Sequence, residues 1–375
     1  MVEADIGGKT VQLTMERLCG MATQYKASDL HLKDGMPPTL RIDGNVKATS
    51  IRPLTDEEIR ELVVVIMDER LRTEYESGGN VDFAYSLPSG DRFRVNVFRQ
   101  RGRTSVAARR VIRHIPAFEE LHLPSETLTK LCLLHQGLII LCGQSGCGKS
   151  TSIASCLDYI NRNRACHIVT IEDPIEFLHE DKKAFVSQRE VGTDVTSMER
   201  ALKYLMREDP DVVLIGEMRD RDTFEAAIQA AETGHLVFAT LHASSPASAI
   251  GRILDLYPDD MQNAVRQNIA FNLAGIVCQI LVPSSLEDAK RVPAVEMLVA
   301  TGMVRKLIRD AEDEKIDDVI RGGRVEGMID FTSCFAELVG KGWITHQAAY
   351  EYAPNQDAVR MSLKGIAIKQ GIIGT

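Results

Sequence analysis

The sequence predicts an α/β protein with a smaller α+β module in front of the main domain. Between residues 137 and 241, four short and almost continuously apolar runs alternate with helical patterns, which is typical of a parallel sheet with crossover helices. Residues 1–112 instead mix short β-like runs with two amphipathic helical patterns. The length of 375 residues also exceeds that of a typical single core, so two domains are expected.

The first module is expected to span residues 1–114 and to contain two helices and several strands. Apolar residues at helical spacing predict the helices, over 11–23 and 54–75. A turn, a strand and an Asp-Gly hairpin are predicted over 37–44. Three further β-like runs predict strands, over 82–87, 92–98 and 104–113.

The strand over 92–98 is expected to have one polar and one apolar face. Arg92 and Arg94 lie on the polar face, and the positions that alternate with them are apolar. A second basic strand follows and carries Arg113 near its end. Proline and charged residues after it predict a linker over 115–122.

The main domain is expected to span residues 123–375. Its parallel strands are predicted at 137–142, 167–171, 211–216 and 235–241. A capping-box pattern from Thr196 to Glu199 predicts the start of one helix, and a helix over 222–232 is expected to stop at Gly234. From about residue 300, three helical patterns predict a small bundle, over 302–313, 331–341 and 346–353.

The most specific functional motif is GQSGCGKST at residues 143–151, a complete G-x-x-x-x-G-K-[ST] loop between a predicted strand and a helix. Its glycines permit positive φ, so that backbone N–H groups can surround a phosphate at a helix N-terminus. Lys149 is expected to reach the β and γ phosphates of a nucleoside triphosphate, and Ser150 to hold Mg²⁺. The residues expected to bind the nucleotide are Gly143, Ser145, Gly146, Cys147, Gly148, Lys149, Ser150 and Thr151.

Two glutamates follow predicted strands at the edge where α/β sheets present ligands. Glu217 directly follows the apolar strand 211–216 and is expected to hold Mg²⁺, in part through water. Glu172 follows strand 167–171 and is then the better candidate to orient and deprotonate the attacking water. The two glutamates could exchange these roles, and an exposed acidic loop is the alternative for Glu172.

A histidine stands at each end of the predicted strand 235–241. His242 follows its carboxyl end, where it is a candidate sensor of the γ-phosphate. His235 is a second candidate for the nucleotide, although a strand histidine is commonly a satisfied core or edge residue. No second His or Cys stands at a ligand spacing from either, so neither is expected to bind a metal.

The basic residues of the first module are candidates for a catalytic role. Phosphoryl transfer gains from a positive charge delivered to the transition state, often by a neighbouring subunit. Arg92, Arg94 and Arg113 could supply that charge, whereas solvated arginines on a sheet face are the alternative.

Composition argues against several classes of function. The chain has 44 basic and 53 acidic residues and a net charge of −9, which disfavours non-specific nucleic-acid binding. No apolar stretch approaches 18 residues and the N-terminus lacks a signal-peptide pattern, so neither a transmembrane segment nor secretion is expected.

The eight cysteines contain no C-x-x-C pair and are interpreted as small core residues in a reducing cytosol. Cys147, within the loop, is either oxidation-sensitive or an inert small side chain.

The chain resembles the secretion-type traffic ATPases, and within them the PilT-type branch of type IV pilus retraction motors. Four ordered motifs, called Walker A, Asp box, Walker B and His box in that family, carry the resemblance: GQSGCGKST at 143–151, TIEDPIEF at 170–177, REDPDVVLIGEMRD at 207–220 and TGHLVFATLH at 233–242. Four shorter segments support it: ASDLHL at 27–32, RFRVN at 92–96, SQREVG at 187–192 and VRKLIR at 304–309.

The resemblance implies a homohexameric ATPase that uses ATP and Mg²⁺. Each subunit would have an N-terminal α+β PAS-like domain and a RecA-like P-loop ATPase domain with a C-terminal helical subregion, and ATP would bind between the two domains. The strands that carry Arg92, Arg94 and Arg113 match positions that meet nucleotide phosphates in the family. The ring would be cytoplasmic, associated peripherally with the inner membrane at the pilus base, and would act on an inner-membrane platform protein rather than on nucleic acid.

The chain departs from the family pattern at a few positions. In the loop, Gln-Ser at 144–145 and Cys147 replace the more usual Pro-Thr and Ser, at positions that contribute mainly backbone N–H groups. Lys306 and Asp310 stand where the retraction motif commonly has Asn and Glu, and Ile280 stands where Arg is common. Contacts specific to the motor are therefore less well predicted than ATP binding.

Four other functions are alternatives to a main retraction motor. A pilus-assembly or type II secretion ATPase is disfavoured because the sequence lacks the tetracysteine zinc module of that branch. An accessory retraction paralogue remains open. A catalytically silent nucleotide-binding regulator is disfavoured by the presence of Lys149, Glu172, Glu217 and His242. A RecA-like nucleic-acid translocase is disfavoured by the net acidity and by the absence of an aromatic and basic groove pattern.

Overall fold

The computed structural model describes residues 2–6, 9–42, 44–111 and 114–365. The chain divides into two compact units. Unit 1 comprises Met1–His114 with Glu176–Leu178, and unit 2 comprises Ile115–Ile175 with His179–Thr375. The predicted α/β class is confirmed, since the longer unit contains a largely parallel sheet with helices between its strands.

Unit 1 contains a six-stranded antiparallel sheet, three helices and a two-stranded ribbon among its described residues. In chain order its elements are β1 (Glu3–Ile6), β2 (Lys9–Gln12), α1 (Met15–Gln24), β3 (Asp29–Lys33), β4 (Thr39–Ile42), β5 (Asn45–Ala48), α2 (Asp56–Val64), α3 (Glu69–Gly78), β6 (Asn80–Ser86), β7 (Arg92–Gln100) and β8 (Arg103–Arg110). The larger sheet has the strand order β5-β4-β3-β8-β7-β6.

The two faces of β7 are those that the sequence predicts. Phe93, Val95 and Val97 are fully buried in the core of unit 1, whereas Arg92 and Arg94 lie on the other face. Alternate side chains of a strand point to opposite sides of the sheet, so burial of the apolar set places the arginines on the polar side.

Three boundaries in unit 1 differ from the sequence predictions. Residues 9–12 form β2, and helix α1 begins only at Met15, with Thr14 as its N-cap. The single helical pattern over 54–75 is two helices, because the Asp68 side chain accepts a hydrogen bond from the backbone N–H of Leu71 and caps a new one. The basic strand predicted over 104–113 ends at Arg110.

Unit 2 contains the rest of the regular elements. In chain order they are α4 (Ser125–Cys132), β9 (Gly137–Cys142), α5 (Lys149–Asn163), β10 (His167–Glu172), β11 (Phe185–Glu190), α6 (Met198–Leu205), β12 (Val212–Ile215), α7 (Arg221–Glu232), β13 (Leu236–Leu241), α8 (Pro246–Leu254), α9 (Asp259–Asn272), β14 (Leu273–Pro283), β15 (Arg291–Val299), α10 (Gly302–Arg309), α11 (Ile316–Gly322), α12 (Phe331–Gly340), α13 (His346–Tyr352) and α14 (Gln356–Leu363).

The seven strands of unit 2 form one sheet in the order β11-β10-β12-β13-β9-β14-β15. The first six are parallel, and β15 returns antiparallel to β14. Every residue of β9, β12 and β13 is buried, as expected of strands covered on both faces. The four strands that the apolar runs predict are therefore confirmed, and β13 lies between β12 and β9.

Some elements of unit 2 differ from the predictions. Ser197, not Thr196, is the N-cap of α6, since its hydroxyl accepts a hydrogen bond from the backbone N–H of Arg200. Helix α10 ends at Arg309 rather than near residue 313. Strands β14 and β15 and helices α8 and α9 were not predicted. In the part of the chain that the structure describes, no helix has both the length and the apolar character needed to cross a membrane.

Candidate nucleotide site

The phosphate-binding loop joins the carboxyl end of β9 to the first turn of α5. Gly143, Gly146 and Gly148 adopt φ values of 143°, 76° and 92°, a region that favours glycine. A Cβ atom on Gly143 would lie 2.5 Å from the Cys147 Sγ atom, and one on Gly148 would lie 2.7 Å from the Gln279 Nε2 atom. Because a Cβ atom on Gly143 would also lie 2.6 Å from the Gln279 carbonyl oxygen, close packing as well as backbone conformation requires glycine there, whereas a side chain at Gly148 would displace the Gln279 amide.

The functional side chains of the loop lie at the start of α5. Lys149 is the first residue of the helix, and its Nζ atom donates hydrogen bonds to the carbonyl oxygens of Gly143 and Gln144, at 2.8 and 3.1 Å. Ser150 and Thr151 follow in the first turn and are half-buried. Gly146, at the exposed tip, has no neighbouring atom within 4 Å of a Cβ position.

The parallel sheet brings four predicted features to one edge. The phosphate-binding loop, Glu172, Glu217 and His242 all lie at or just beyond the carboxyl ends of parallel strands, namely β9, β10, β12 and β13. Since the strands are adjacent in the order β10-β12-β13-β9, these groups share one end of the sheet.

Glu217 and His242 are in direct contact. The Nε2 atom of His242 lies 3.0 Å from the Oε1 atom of Glu217. The other carboxylate oxygen, Oε2, accepts a hydrogen bond from the Arg219 Nε atom at 2.7 Å. This partnership with Glu217 raises the pKa of the Arg219 guanidinium above its usual value. Both oxygens of Glu217 are thus oriented by nitrogen-containing side chains at the sheet edge.

Glu172 has a different environment. Its Oε1 atom accepts hydrogen bonds from the Thr170 hydroxyl at 2.7 Å and from the Gln188 Nε2 atom at 3.1 Å. Thr170 lies two residues earlier on β10, and Gln188 lies directly opposite it on the neighbouring strand β11. These two hydrogen bonds hold the carboxylate in place at the carboxyl end of β10.

His235 lies away from the phosphate-binding loop. It precedes β13, and its carbonyl oxygen accepts a hydrogen bond from the Gly137 N–H at the start of β9. Its Nδ1 atom is 2.9 Å from the Ala230 carbonyl oxygen. Six residues of strand, roughly 20 Å, separate this position from the loop. The expected contact of His235 with the nucleotide is therefore not supported by its position in unit 2.

The predicted arginines belong to unit 1. Arg92 begins β7 and is half-buried, and Arg94 is about half exposed, with its Nε atom 3.9 Å from the Asp82 Oδ1 atom. Arg113 lies outside the described residues. Their role in phosphoryl transfer stays a prediction.

Cys147 is buried within the loop, with 7% of its surface exposed. Burial raises the pKa of its thiol and outweighs the opposing effect of the Lys149 charge. Because the thiolate is the reactive form, this environment favours the inert interpretation over an oxidation-sensitive one. All eight cysteines are free thiols; seven are buried and Cys166 is partly exposed.

Three site residues escaped the sequence analysis. Arg219 holds Glu217, Gln188 holds Glu172, and Gln279 contacts the phosphate-binding loop. The spacing of Arg219 two residues after Glu217 was visible in the sequence. Gln188 and Gln279 lie on β11 and β14, which neighbour β10 and β9 in the sheet, and the sequence does not show which strands are neighbours.

The residues fit a bound nucleotide. Three glycines with positive φ, a helix that starts at Lys149 and an exposed loop tip form a cradle for phosphate. The described residues contain no group of three or more His, Cys, Asp or Glu that could hold a metal by itself. Magnesium bound to a nucleotide is held largely by phosphate oxygens and water, and the assignment of Ser150 and Glu217 to this ion stays a prediction.

The chain is similar to known secretion and pilus proteins over most of its length. The family of type II/IV secretion system proteins matches residues 7–324. The type IV pilus retraction ATPase PilT of Pseudomonas aeruginosa is 38% identical over 341 residues, which are 91% of this chain and 98% of that protein. The type IV pilus ATPase PilU of the same organism is also 38% identical, over 94% of this chain and 92% of that protein.

A solved structure shows the same fold. The crystal structure of the pilus retraction motor PilT with bound ADP matches with a TM-score of 0.86 and 40% identity, over 93% of this chain and 99% of that chain. The predicted resemblance to the retraction ATPases is confirmed by these matches. Since the family match covers most of its length, the chain belongs to the type II/IV secretion system protein family.

Proposed function

We propose that this protein is an ATPase whose hydrolysis of ATP powers the retraction of a type IV pilus. The observation that carries the proposal is the convergence of the phosphate-binding loop, Glu172 and the Glu217–His242 pair at one edge of the sheet. Similarity to a retraction ATPase over 91% of the chain supports the pilus as the machine it serves.

In the proposed reaction, the backbone N–H groups of the loop bind the β-phosphate and Lys149 moves its ammonium group to the γ-phosphate. Thr151 adds a contact in the first turn of α5. Ser150 directly, and Glu217 through water, would hold Mg²⁺, which would supply positive charge against the developing negative charge. His242, already in contact with Glu217, reports whether the γ-phosphate is present. Positive charge from Arg92, Arg94 and Arg113 stabilises the transition state.

We assign the general base to Glu172. Both oxygens of Glu217 are engaged by Arg219 and His242, which suits a group that positions others. Glu172, whose Oε1 atom is positioned by Thr170 and Gln188 at the carboxyl end of β10, is the group that we assign to take a proton from the attacking water. The opposite assignment of the two glutamates predicts that Glu217→Gln abolishes turnover more completely than Glu172→Gln.

The proposed working form is a homohexamer at the cytoplasmic face of the inner membrane. There it would turn a platform protein at the base of the pilus and so extract pilin subunits. Light scattering of the purified chain with ADP or a non-hydrolysable ATP analogue tests the hexamer. A monomer under all nucleotide conditions would contradict it.

The decisive experiment is deletion followed by complementation. We expect the deletion strain to carry unretracted surface pili and to lose twitching motility, with recovery from the wild-type gene but not from Lys149→Ala. Purified wild-type protein should hydrolyse ATP, and Lys149→Ala should not. Normal retraction in the deletion strain would contradict the proposal of a main motor.

An accessory retraction ATPase is the second candidate, because the identity to PilU equals that to PilT, at 38%. Retraction in a strain that lacks this gene, and in one that also lacks any second motor gene, distinguishes an accessory ATPase from a main motor. If the chain is accessory, its deletion weakens retraction only under load, and a second motor gene supports motility without it. If the chain is the main motor, no other gene in the strain restores retraction.

A further inference from the structure

A glutamine of β14 supports the phosphate-binding loop from inside the core. Gln279 is buried, with 4% of its surface exposed. Its Nε2 atom donates a hydrogen bond of 2.6 Å to the carbonyl oxygen of Cys147, and its Oε1 atom accepts one of 2.8 Å from the hydroxyl of Ser152. The side chain thus joins the loop to the first turns of α5.

The amide of Gln279 has one orientation that satisfies both partners. A carbonyl oxygen can only accept, so the Cys147 carbonyl requires the NH₂ group. The Ser152 hydroxyl donates to the amide oxygen in the same arrangement. Both the NH₂ group and the oxygen of the amide are therefore hydrogen-bonded. Turning the amide by 180° would place its oxygen against the Cys147 carbonyl oxygen.

The glycines of the loop are matched to this residue. A Cβ atom on Gly143 would lie 2.6 Å from the Gln279 carbonyl oxygen, and one on Gly148 would lie 2.7 Å from the Gln279 Nε2 atom. The main chain of Gln279 thus packs closely against Gly143, and its side chain packs closely against Gly148. The loop and strand β14 have complementary shapes at this contact.

The hydrogen bond to Cys147 also sets the direction of an N–H group. In a planar trans peptide, the C=O of one residue and the N–H of the next point in opposite directions. Because the Cys147 carbonyl points at Gln279, the N–H of Gly148 points away from β14. That N–H belongs to the set which the motif directs at a phosphate.

We propose that Gln279 is a positioning residue that holds the phosphate-binding loop in its nucleotide-binding shape. The proposal rests on the nucleotide binding proposed above. Lys149 bonds only carbonyl oxygens near the start of the loop, at Gly143 and Gln144. Gln279 fixes the second half, where the motif glycine Gly148 precedes the helix.

The first test measures binding of a fluorescent ADP analogue and thermal unfolding in the absence of nucleotide. We expect Gln279→Leu to weaken ADP binding about tenfold to hundredfold, because the buried Cys147 carbonyl loses its donor and the Gly148 peptide can turn. Ser152→Ala keeps the contact with Cys147 and should weaken binding only about twofold to fivefold.

Asn161→Leu is the matched control. Asn161 is a buried amide on the same helix, but it bonds the backbone of Glu180 and Lys182, away from the loop. This variant should lower the melting temperature while ADP affinity stays within about twofold of wild type. A general loss of packing would instead reduce ADP binding in Asn161→Leu and Gln279→Leu alike.

The second test uses pH to restore the missing donor. In Gln279→Glu, the ionised carboxylate cannot donate to the Cys147 carbonyl, whereas the protonated carboxyl can. Burial raises the pKa of such a group, so the ratio of its ADP affinity to that of wild type should rise toward one as the pH falls from 8 to 5.5. Should Gln279→Leu fail to fold, this series decides alone.

The outcomes separate the two proposals. Wild-type ADP affinity in Gln279→Leu, or a pH-independent ratio in Gln279→Glu, would overturn the role of Gln279 and leave the nucleotide site intact. Absence of ADP binding by the wild-type protein would overturn the proposed function, and this assignment with it.

Discussion

The two ends of the parallel sheet in unit 2 use polar residues in different ways. At the carboxyl end, Glu172, Glu217 and His242 lie at or just beyond the ends of their strands and contact one another or nearby side chains. At the amino end, the side chain of Asn161 is fully buried and bonds the backbone of Glu180 and Lys182.

The difference lies in what each polar group bonds. The side chain and the carbonyl oxygen of Asn161, near the end of α5, form hydrogen bonds with backbone groups of residues 180–184, just before β11. Such bonds fix the fold and leave little to exchange with a ligand. At the carboxyl end, the bonds join side chains that can rearrange. The comparison therefore predicts that substitutions at the carboxyl end lower the rate of ATP hydrolysis, whereas substitutions at the amino end lower the stability of the fold.

The largest effect is expected for Glu172→Gln. The amide keeps the size of the side chain but cannot accept a proton, so kcat should fall about 10²- to 10³-fold. Steady-state phosphate release measures kcat, and ADP binding should stay within about twofold of wild type. A loss of binding equal to the loss of kcat would place Glu172 in nucleotide binding rather than in the proton transfer.

The two histidines give a matched comparison across one strand. His242→Ala removes the partner of Glu217 Oε1 and should lower kcat about tenfold, since an orienting contact is lost but the base remains. His235→Ala, at the opposite end of β13, should change kcat by less than about twofold. Equal effects of the two changes would break the distinction between the ends of the sheet.

The amino end is tested by Asn161→Leu. The change removes the side-chain hydrogen bonds to the Glu180 carbonyl and the Lys182 N–H and leaves no amide in a fully buried position, which should lower the free energy of unfolding by about 1–3 kcal/mol. Urea denaturation measures that loss. Turnover per folded molecule should remain unchanged, and a strong drop would extend the functional region to the amino end.

Glu296, on the outer strand β15, is a largely buried carboxyl group that has no part in the proposed reaction. Burial raises the pKa of this β15 carboxyl to about 7, although it accepts a hydrogen bond from the Phe331 N–H at 3.2 Å. The stability that follows from the raised pKa is fully present below about pH 4.5 and falls as the pH rises through about 7. Glu296→Gln keeps an acceptor but does not titrate.

We therefore expect the stability of the wild type relative to Glu296→Gln to fall by about 2 kcal/mol between pH 5 and pH 8. Denaturation midpoints across that range measure the difference. Turnover of Glu296→Gln at pH 8 should match wild type. A parallel pH dependence of both proteins would show that Glu296 does not titrate in this range.

The sequence predicted the elements whose pattern is local. Strands β9, β10, β12 and β13 were found because doubly covered strands are continuous apolar runs. The loop, Glu172, Glu217 and His242 were found because each directly follows such a run. Parallel strands then place residues that are distant in sequence at one edge.

The sequence did not predict what depends on neighbours in the sheet. Strands β14 and β15 were missed, and the polar residue Gln279 interrupts the apolar pattern of β14. Gln279 is polar because it bonds Cys147 and Ser152 across the sheet. His235 was assigned to the nucleotide from its motif, whereas strand direction places it at the other end.

The buried thiols have a practical consequence for experiments on this protein. Seven of the eight cysteines are buried, and Cys166 is partly exposed. A thiol-reactive dye would therefore label the native chain mainly at Cys166, and would label the others at the rate at which their surroundings open. Mass spectrometry of the labelled peptides would then time local opening at Cys147 and Cys278 separately, without introducing any reporter group into the chain.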